Sequence, residues 1–174
     1  MTNNKQLYKW LILTVMVSLD VVLSPILRIE GMAPMSSVVN IVAAMLMRPL
    51  YTGLMALFCG ILRMTLMGIP PLALTGAVFG AVGAGLGAKY GRKIGFACLG
   101  EMIGTGIIGS LLSYPVMVWF TGTKTALYWF VYTPRFLGAT LIGSFAAVIL
   151  WRSLKHLKIV QDIQNQFKGK GEIA

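Results

Sequence analysis

Apolar runs of bilayer-crossing length recur from end to end of this sequence, and they leave few folds open. A transmembrane helix needs about 20 predominantly apolar residues to cross roughly 30 Å of hydrocarbon. The chain is 57% hydrophobic and 11% charged over its 174 residues, far too apolar for a soluble domain of that size. The expected fold is a single all-α integral membrane domain of six transmembrane helices, over about Tyr8–Leu27, Ser36–Met47, Leu50–Met67, Leu72–Ala88, Ile94–Phe120 and Pro134–Trp151. A polar, basic tail, 152–174, follows.

Punctuation between the runs agrees with this division. Ser36-Ser37 reads as an N-cap pair, Gly68-Ile69-Pro70-Pro71 as a breaker, and Thr133-Pro134 as an N-cap with proline at the first helical position. The second segment is short, roughly 18 Å at 1.5 Å per residue, so part of the loop before it is expected to dip inward. No small-x-small cleavage site follows the first run, which therefore reads as a retained helix rather than a signal peptide. In the tail, Ile159, Ile163 and Phe167 recur at four-residue spacing. They mark either an amphipathic surface helix or a frayed helix end.

Charge sets the orientation. With six crossings, Lys5, Lys9, Arg48, Lys89, Arg92, Lys93, Arg152, Lys155, Lys158, Lys168 and Lys170 share one side, eleven of the 15 basic residues. Five crossings would put the basic tail opposite the basic N-terminus. The positive-inside rule thus favours six crossings with both termini cytoplasmic, in a cell membrane. This clustering between apolar runs also argues against nucleic acid as the reason for the +10 net charge. Cys59 and Cys98, in separate apolar runs, read as small core residues.

No catalytic constellation is visible. The one histidine, His156, lies in the tail, and there is no metal, phosphate-loop or nucleophile–base motif. The chain reads as a non-enzyme without a cofactor, and energy for active transport would have to come from another chain or an ion gradient.

What stands out instead is Gly100–Pro115, GEMIGTGIIGSLLSYP, with four glycines, one carboxylate and one threonine inside an apolar run. Glycines let a helix or ligand approach the backbone, and a carboxylate in a membrane segment suggests function. Glu101 and Thr105 share a helical face; Tyr114 does not. Glu101 either lines the bottom of a pocket, docks a partner or ties helices. Asn40 is an interhelical tie or a ligand contact. Arg63 and Arg135 either serve a pocket near the outer side or snorkel to headgroups. Arg135, in a first helical turn, is disfavoured by the helix dipole and calls for a partner such as Glu30, Asp20 or a ligand. Tyr128, Trp129 and Tyr132 form an interfacial belt or a stacking wall over a flat ligand. Gly76, Gly80, Gly83, Ala84 and Gly87 read as packing residues, and Thr14 with Ser18 as a small-xxx-small pair.

These residues carry a resemblance. Pro34-Met35, Val39-Asn40, Ala43-Ala44, Leu62-Arg63, Gly76-x-x-x-Gly80-Ala81 and above all Gly100–Pro115 follow, in order, the pattern of the ThiW family, over about Leu23–Ala147. More broadly, the chain resembles the S-components of energy-coupling factor (ECF) vitamin importers, and within them it looks like the ThiW family. The resemblance implies a six-helix bundle that captures a small vitamin precursor, the hydroxyethylthiazole moiety of thiamine, near the outer face under gating loops. It implies docking on an EcfT-like transmembrane coupling subunit through helix one, here Thr14 and Ser18, and two partner ATPase subunits. With the residue reading above, Asn40, Arg63, Glu101, Thr105, Tyr114, Tyr128, Tyr132 and Arg135 are the substrate-binding candidates. The chain departs from the family pattern at Ser36-Ser37, where ThiW proteins have Gln-His, at Met64 in place of Asn, and at Leu74-Thr75 in place of Phe-Pro. A stand-alone secondary transporter and a non-transport membrane assembly protein remain as rival readings.

Overall fold

The computed structural model describes residues 2–26, 33–122 and 129–167. All regular structure there is helical: α1 (Thr2–Leu23), α2 (Pro34–Leu46), α3 (Pro49–Met67), α4 (Leu72–Gly91), a long helix made of α5 (Ile94–Glu101), a π-helical stretch (Met102–Gly109) and α6 (Ser110–Thr121), then α7 (Thr133–Leu154) and α8 (Lys158–Phe167). Among the described residues, five helices are long and apolar enough to cross a membrane, and Ile94–Phe120 is one continuous candidate span. The expected sixth crossing, α2, has 13 residues. At 1.5 Å per residue it covers about 20 Å, short of a roughly 30 Å hydrocarbon core. It is buried nearly all round, packed on α7, α4 and α5, and runs through the interior of the bundle from the cavity end to the α8 end, shielded from lipid along its length.

Prolines and glycines place the ends. Proline stands within the first two positions of α2, α3 and α7, where its missing N–H costs nothing. Gly68 (φ 61°) closes α3 in the left-handed conformation that only glycine adopts without penalty. Two expectations shift. Helix α1 ends at Leu23 rather than Leu27, because Pro25 cannot continue the ladder; Ser24 N bonds Asp20 O at 2.9 Å and Ile26 N bonds Leu23 O at 3.1 Å to finish the turn. Ser36 and Ser37 are not caps: Ala33 is the N-cap of α2, and both serines are buried inside the first turns.

The bundle is held by close backbone approach between α4 and the long helix. A Cβ on Gly83 would strike the Gly100 carbonyl, one on Gly104 the Phe79 carbonyl, and one on Gly109 would come within 2.9 Å of Gly76 Cα. The glycines of Gly100–Pro115 therefore serve packing first, as those of α4 do. Outward faces are apolar, with Leu11, Val15, Leu66, Ile103, Ile142 and Phe145 all exposed, the distribution expected of a surface facing lipid.

Helix α8 closes one end. Phe167 packs edge-on to Tyr51 with centroids 5.1 Å apart, Lys9 Nζ lies 5.6 Å from the Phe167 ring, and Gln164 Nε2 donates to Met45 O at 2.8 Å. The early part of α1, the end of α2, the start of α3 and α8 therefore share this end. The buried stripe of α8 is Val160 and Phe167, with Ile163 partly buried, whereas Ile159 is exposed. Ile163 and Phe167 of the expected stripe thus face the bundle, on which the tail helix docks, rather than a membrane surface or a frayed end.

Candidate functional site

At the opposite end, where α2, α4 and α7 begin and α3 finishes, lies a cavity of about 50 Å³. Its polar wall is Ser36, Ser37, Asn40, Arg63, Glu101 and Thr105; its apolar wall is Leu72, Gly76, Ala77, Phe136 and Ala139, with Ala33 and Ala73. The mix is that of a small-molecule site, mainly apolar with a few convergent polar groups.

Glu101 is the hub. It is fully buried, at the point where α5 passes into the π-helical stretch, a distortion that recurs at functional positions. Its Oε1 accepts from Asn40 Nδ2 at 3.3 Å and from Thr105 Oγ1 at 3.1 Å. Asn40 Nδ2 also reaches Ala77 O at 3.4 Å, and Thr105 Oγ1 reaches Gly76 O at 3.0 Å. The network ties α2, α4 and the long helix together, so Asn40 is an interhelical tie and a wall residue at once. A Cβ at Gly80 would strike Thr105 Oγ1 and lie 2.8 Å from Glu101 Oε2. Glycine at position 80 makes the room in which the carboxyl sits.

Three wall atoms are buried without a hydrogen-bond partner: Glu101 Oε2, Asn40 Oδ1 and Arg63 Nε. Buried polar atoms are nearly always paired, and leaving one unmade costs about 1–3 kcal/mol. Of the six buried side-chain oxygens and nitrogens left unpartnered among the described residues, these three belong to residues of the one cavity wall.

Arg63 is 3% exposed, so it is turned inward and does not snorkel. Its charge acts on Asp20 of α1, which also interacts with Cys59. Asp20 is fully buried and its Oδ2 accepts from Ser36 Oγ at 3.4 Å. The cation facing Asp20 is thus Arg63, not Arg135.

The other candidates fall elsewhere. Tyr114 stacks on Trp129 at 4.8 Å. Tyr132 packs in a cluster with Met117 and Phe136, one layer behind the cavity wall that Phe136 forms. Arg135 is exposed on the first turn of α7. Tyr128, like Arg28 and Glu30, lies outside the described residues. Thr14 and Ser18 sit on the outward face of α1, with their hydroxyls given to Trp10 O at 2.9 Å and Thr14 O at 3.0 Å. Sequence reasoning missed Phe136 and Ala139 as wall residues, and noted Ser36 and Ser37 only as departures from the family pattern. The two serines had a usable signal, since hydroxyls one turn before Asn40 on an apolar helix share its neighbourhood; Phe136 and Ala139 had none.

Residues 10–157 match the family model described as thiamine-precursor transporter protein (ThiW). No curated protein and no solved structure matches the chain.

Proposed function

The chain belongs to the thiamine-precursor transporter (ThiW) family, and on that premise we propose that it is the substrate-capturing S-component of an ECF-type importer. It is a multi-pass membrane protein; we place it in the bacterial plasma membrane with both termini cytoplasmic. In that orientation the basic end carrying α8 faces the cytoplasm and the cavity opens toward the outside, where a precursor must be caught.

The observation that carries this reading is the set of unpartnered polar atoms, Glu101 Oε2, Asn40 Oδ1 and Arg63 Nε, on the wall of one mainly apolar cavity. A small heterocycle with few polar groups, the hydroxyethylthiazole moiety of thiamine, suits such a wall. A cavity of about 50 Å³ is narrow beside the roughly 300 Å³ lower range of ligand pockets. Binding therefore widens it, with the long side chains of Arg63 and Phe136 the parts that give way. Ser36 and Ser37, which replace the family's Gln-His pair, stand on the wall and give this chain its own polar contacts. Delivery to the cytoplasm falls to partners, an EcfT-like coupling subunit and two ATPase subunits. The face of α1 bearing Thr14 and Ser18 is available to the coupling subunit: their hydroxyls are already bonded to their own helix, so the face is small and effectively apolar.

Native mass spectrometry of the detergent-purified protein, challenged with hydroxyethylthiazole, hydroxymethylpyrimidine and thiamine, tests this. Selective retention of the thiazole is the expected result. Retention of another precursor would reassign the substrate, and retention of none would overturn the capture role.

A further inference from the structure

The hydrogen-bond ledger of the cavity wall has a direction. At the Asn40–Glu101 corner the donors of Asn40 and Thr105 are already committed, and the Ser37 hydroxyl also interacts with the Glu101 carboxyl. Asn40 Nδ2 serves Ala77 O and Glu101 Oε1, and the single hydroxyl hydrogen of Thr105 serves Gly76 O and Glu101 Oε1. The orientation of the Asn40 amide is fixed by this arrangement, because both neighbours are acceptors and only the NH₂ group can face them. Two oxygens in that corner remain unpartnered: Asn40 Oδ1, which can only accept, and Glu101 Oε2, which accepts when the carboxyl is ionised. Arg63 is the reverse. Guanidinium has five N–H donors and no acceptor, and its Nε is buried without a partner.

Resting on the capture role proposed above, we infer that the cavity selects ligands by polarity: a hydroxyl or amino donor toward Asn40 and Glu101, and a lone-pair acceptor such as a ring nitrogen toward Arg63. A ligand reversed in the cavity would set acceptor against carboxylate and donor against guanidinium, leaving buried groups on both sides unmade. Sites built to hydrogen-bond a ligand group reject analogues lacking it far more strongly than apolar pockets reject a missing methylene. For hydroxyethylthiazole the rule orients the molecule, with the hydroxyl at Glu101 and the ring nitrogen at Arg63. Glu101 and Arg63 are then the specificity-determining pair.

The test is a matrix of dissociation constants, measured by isothermal titration on the purified full chain. The ligands are hydroxyethylthiazole, its O-methyl ether, which lacks the donor, and the thiophene analogue, which lacks the ring nitrogen. The proteins are wild type, Glu101→Gln and Arg63→Met. Wild type is expected to bind the ether and the thiophene each at least tenfold more weakly than the parent. In Glu101→Gln the side-chain carbonyl keeps the bonds of Oε1 and an NH₂ donor takes the place of Oε2; ether and hydroxyl oxygens both accept from it, so the ether's disadvantage is expected to shrink. In Arg63→Met the thiazole and thiophene are expected to bind alike. Equal binding of all three ligands to wild type, or a uniform loss across all three in Glu101→Gln, would overturn the polarity rule while leaving the capture role standing. Failure of wild type to bind the parent would overturn both.

Discussion

Asn40 donates from Nδ2 to Glu101 Oε1 across 3.3 Å, joining a short internal helix to the glycine-rich helix that forms the far wall of the cavity. Replacing Asn40 by Leu keeps the approximate volume and removes the amide. Glu101 Oε1 is then left with Thr105, and Ala77 O loses its side-chain donor. Loss of a buried partner costs about 1–3 kcal/mol, so the thermal midpoint in detergent is expected to fall. Affinity for the thiazole is expected to drop at least tenfold in the same samples, because Oδ1 leaves the wall with the amide.

Gly80 separates site from scaffold. A methyl group there must displace Thr105 and Glu101, and overpacking costs about 1–3 kcal/mol. Gly80→Ala is expected to lower both thermal stability and ligand affinity. Gly95 is the control: nothing lies within 4 Å of a Cβ there, and alanine is a better helix former than glycine. Gly95→Ala is expected to keep wild-type affinity and to hold or raise the midpoint. Parallel melting and titration curves check the pair.

Arg63 and Asp20 are both buried and act on each other electrostatically. Removing one partner of a buried charge pair leaves the other uncompensated. Asp20→Asn is therefore expected to destabilise the protein, and Asp20→Asn combined with Arg63→Met to lose less than the sum of the two single changes. A double-mutant cycle of unfolding free energies should return a coupling of about 0.5–3 kcal/mol; strict additivity would refute the pairing.

At the other end, Phe167 is 3% exposed and touches Tyr51. Phe167→Ala removes a buried aromatic, a change that costs about 3–5 kcal/mol in well-packed cores. The expected outcome is faster proteolytic loss of α8 and a lower midpoint, with thiazole affinity unchanged because α8 closes the end away from the cavity. A parallel loss of affinity would mean that the two ends are coupled.

Which parts of this were legible in the sequence follows from what each signal measures. Apolar length and proline–glycine punctuation pointed to the helices, and the long one, expected over about Ile94–Phe120, is a continuous candidate span there. The same signals gave no hint of the π-helical stretch, because glycines permit a widened turn without announcing one. Polar side chains in apolar surroundings are costly enough to need a reason, and that argument led to Asn40, Arg63, Glu101 and Thr105, which share one cavity. Tyr114 and Tyr132 were chosen because the expected topology put them near the outer side, and their rings pack on Trp129 and Phe136 instead. Phe136 and Ala139 were invisible because an apolar residue facing a cavity and one facing lipid look alike in a membrane sequence.

The central claim is that the cavity between α2, α3, α4, the long helix and α7 is where the precursor binds. Ala139, 5% exposed, contributes to its wall from α7, and a leucine at that position occupies the space without touching the hydrogen-bond network. The most direct measurement is the dissociation constant of hydroxyethylthiazole for wild type and Ala139→Leu, taken alongside their thermal midpoints. The account predicts that Ala139→Leu folds with a midpoint near wild type and loses ligand affinity at least tenfold. A well-folded Ala139→Leu protein that binds the thiazole as wild type does would contradict it and place the binding site elsewhere.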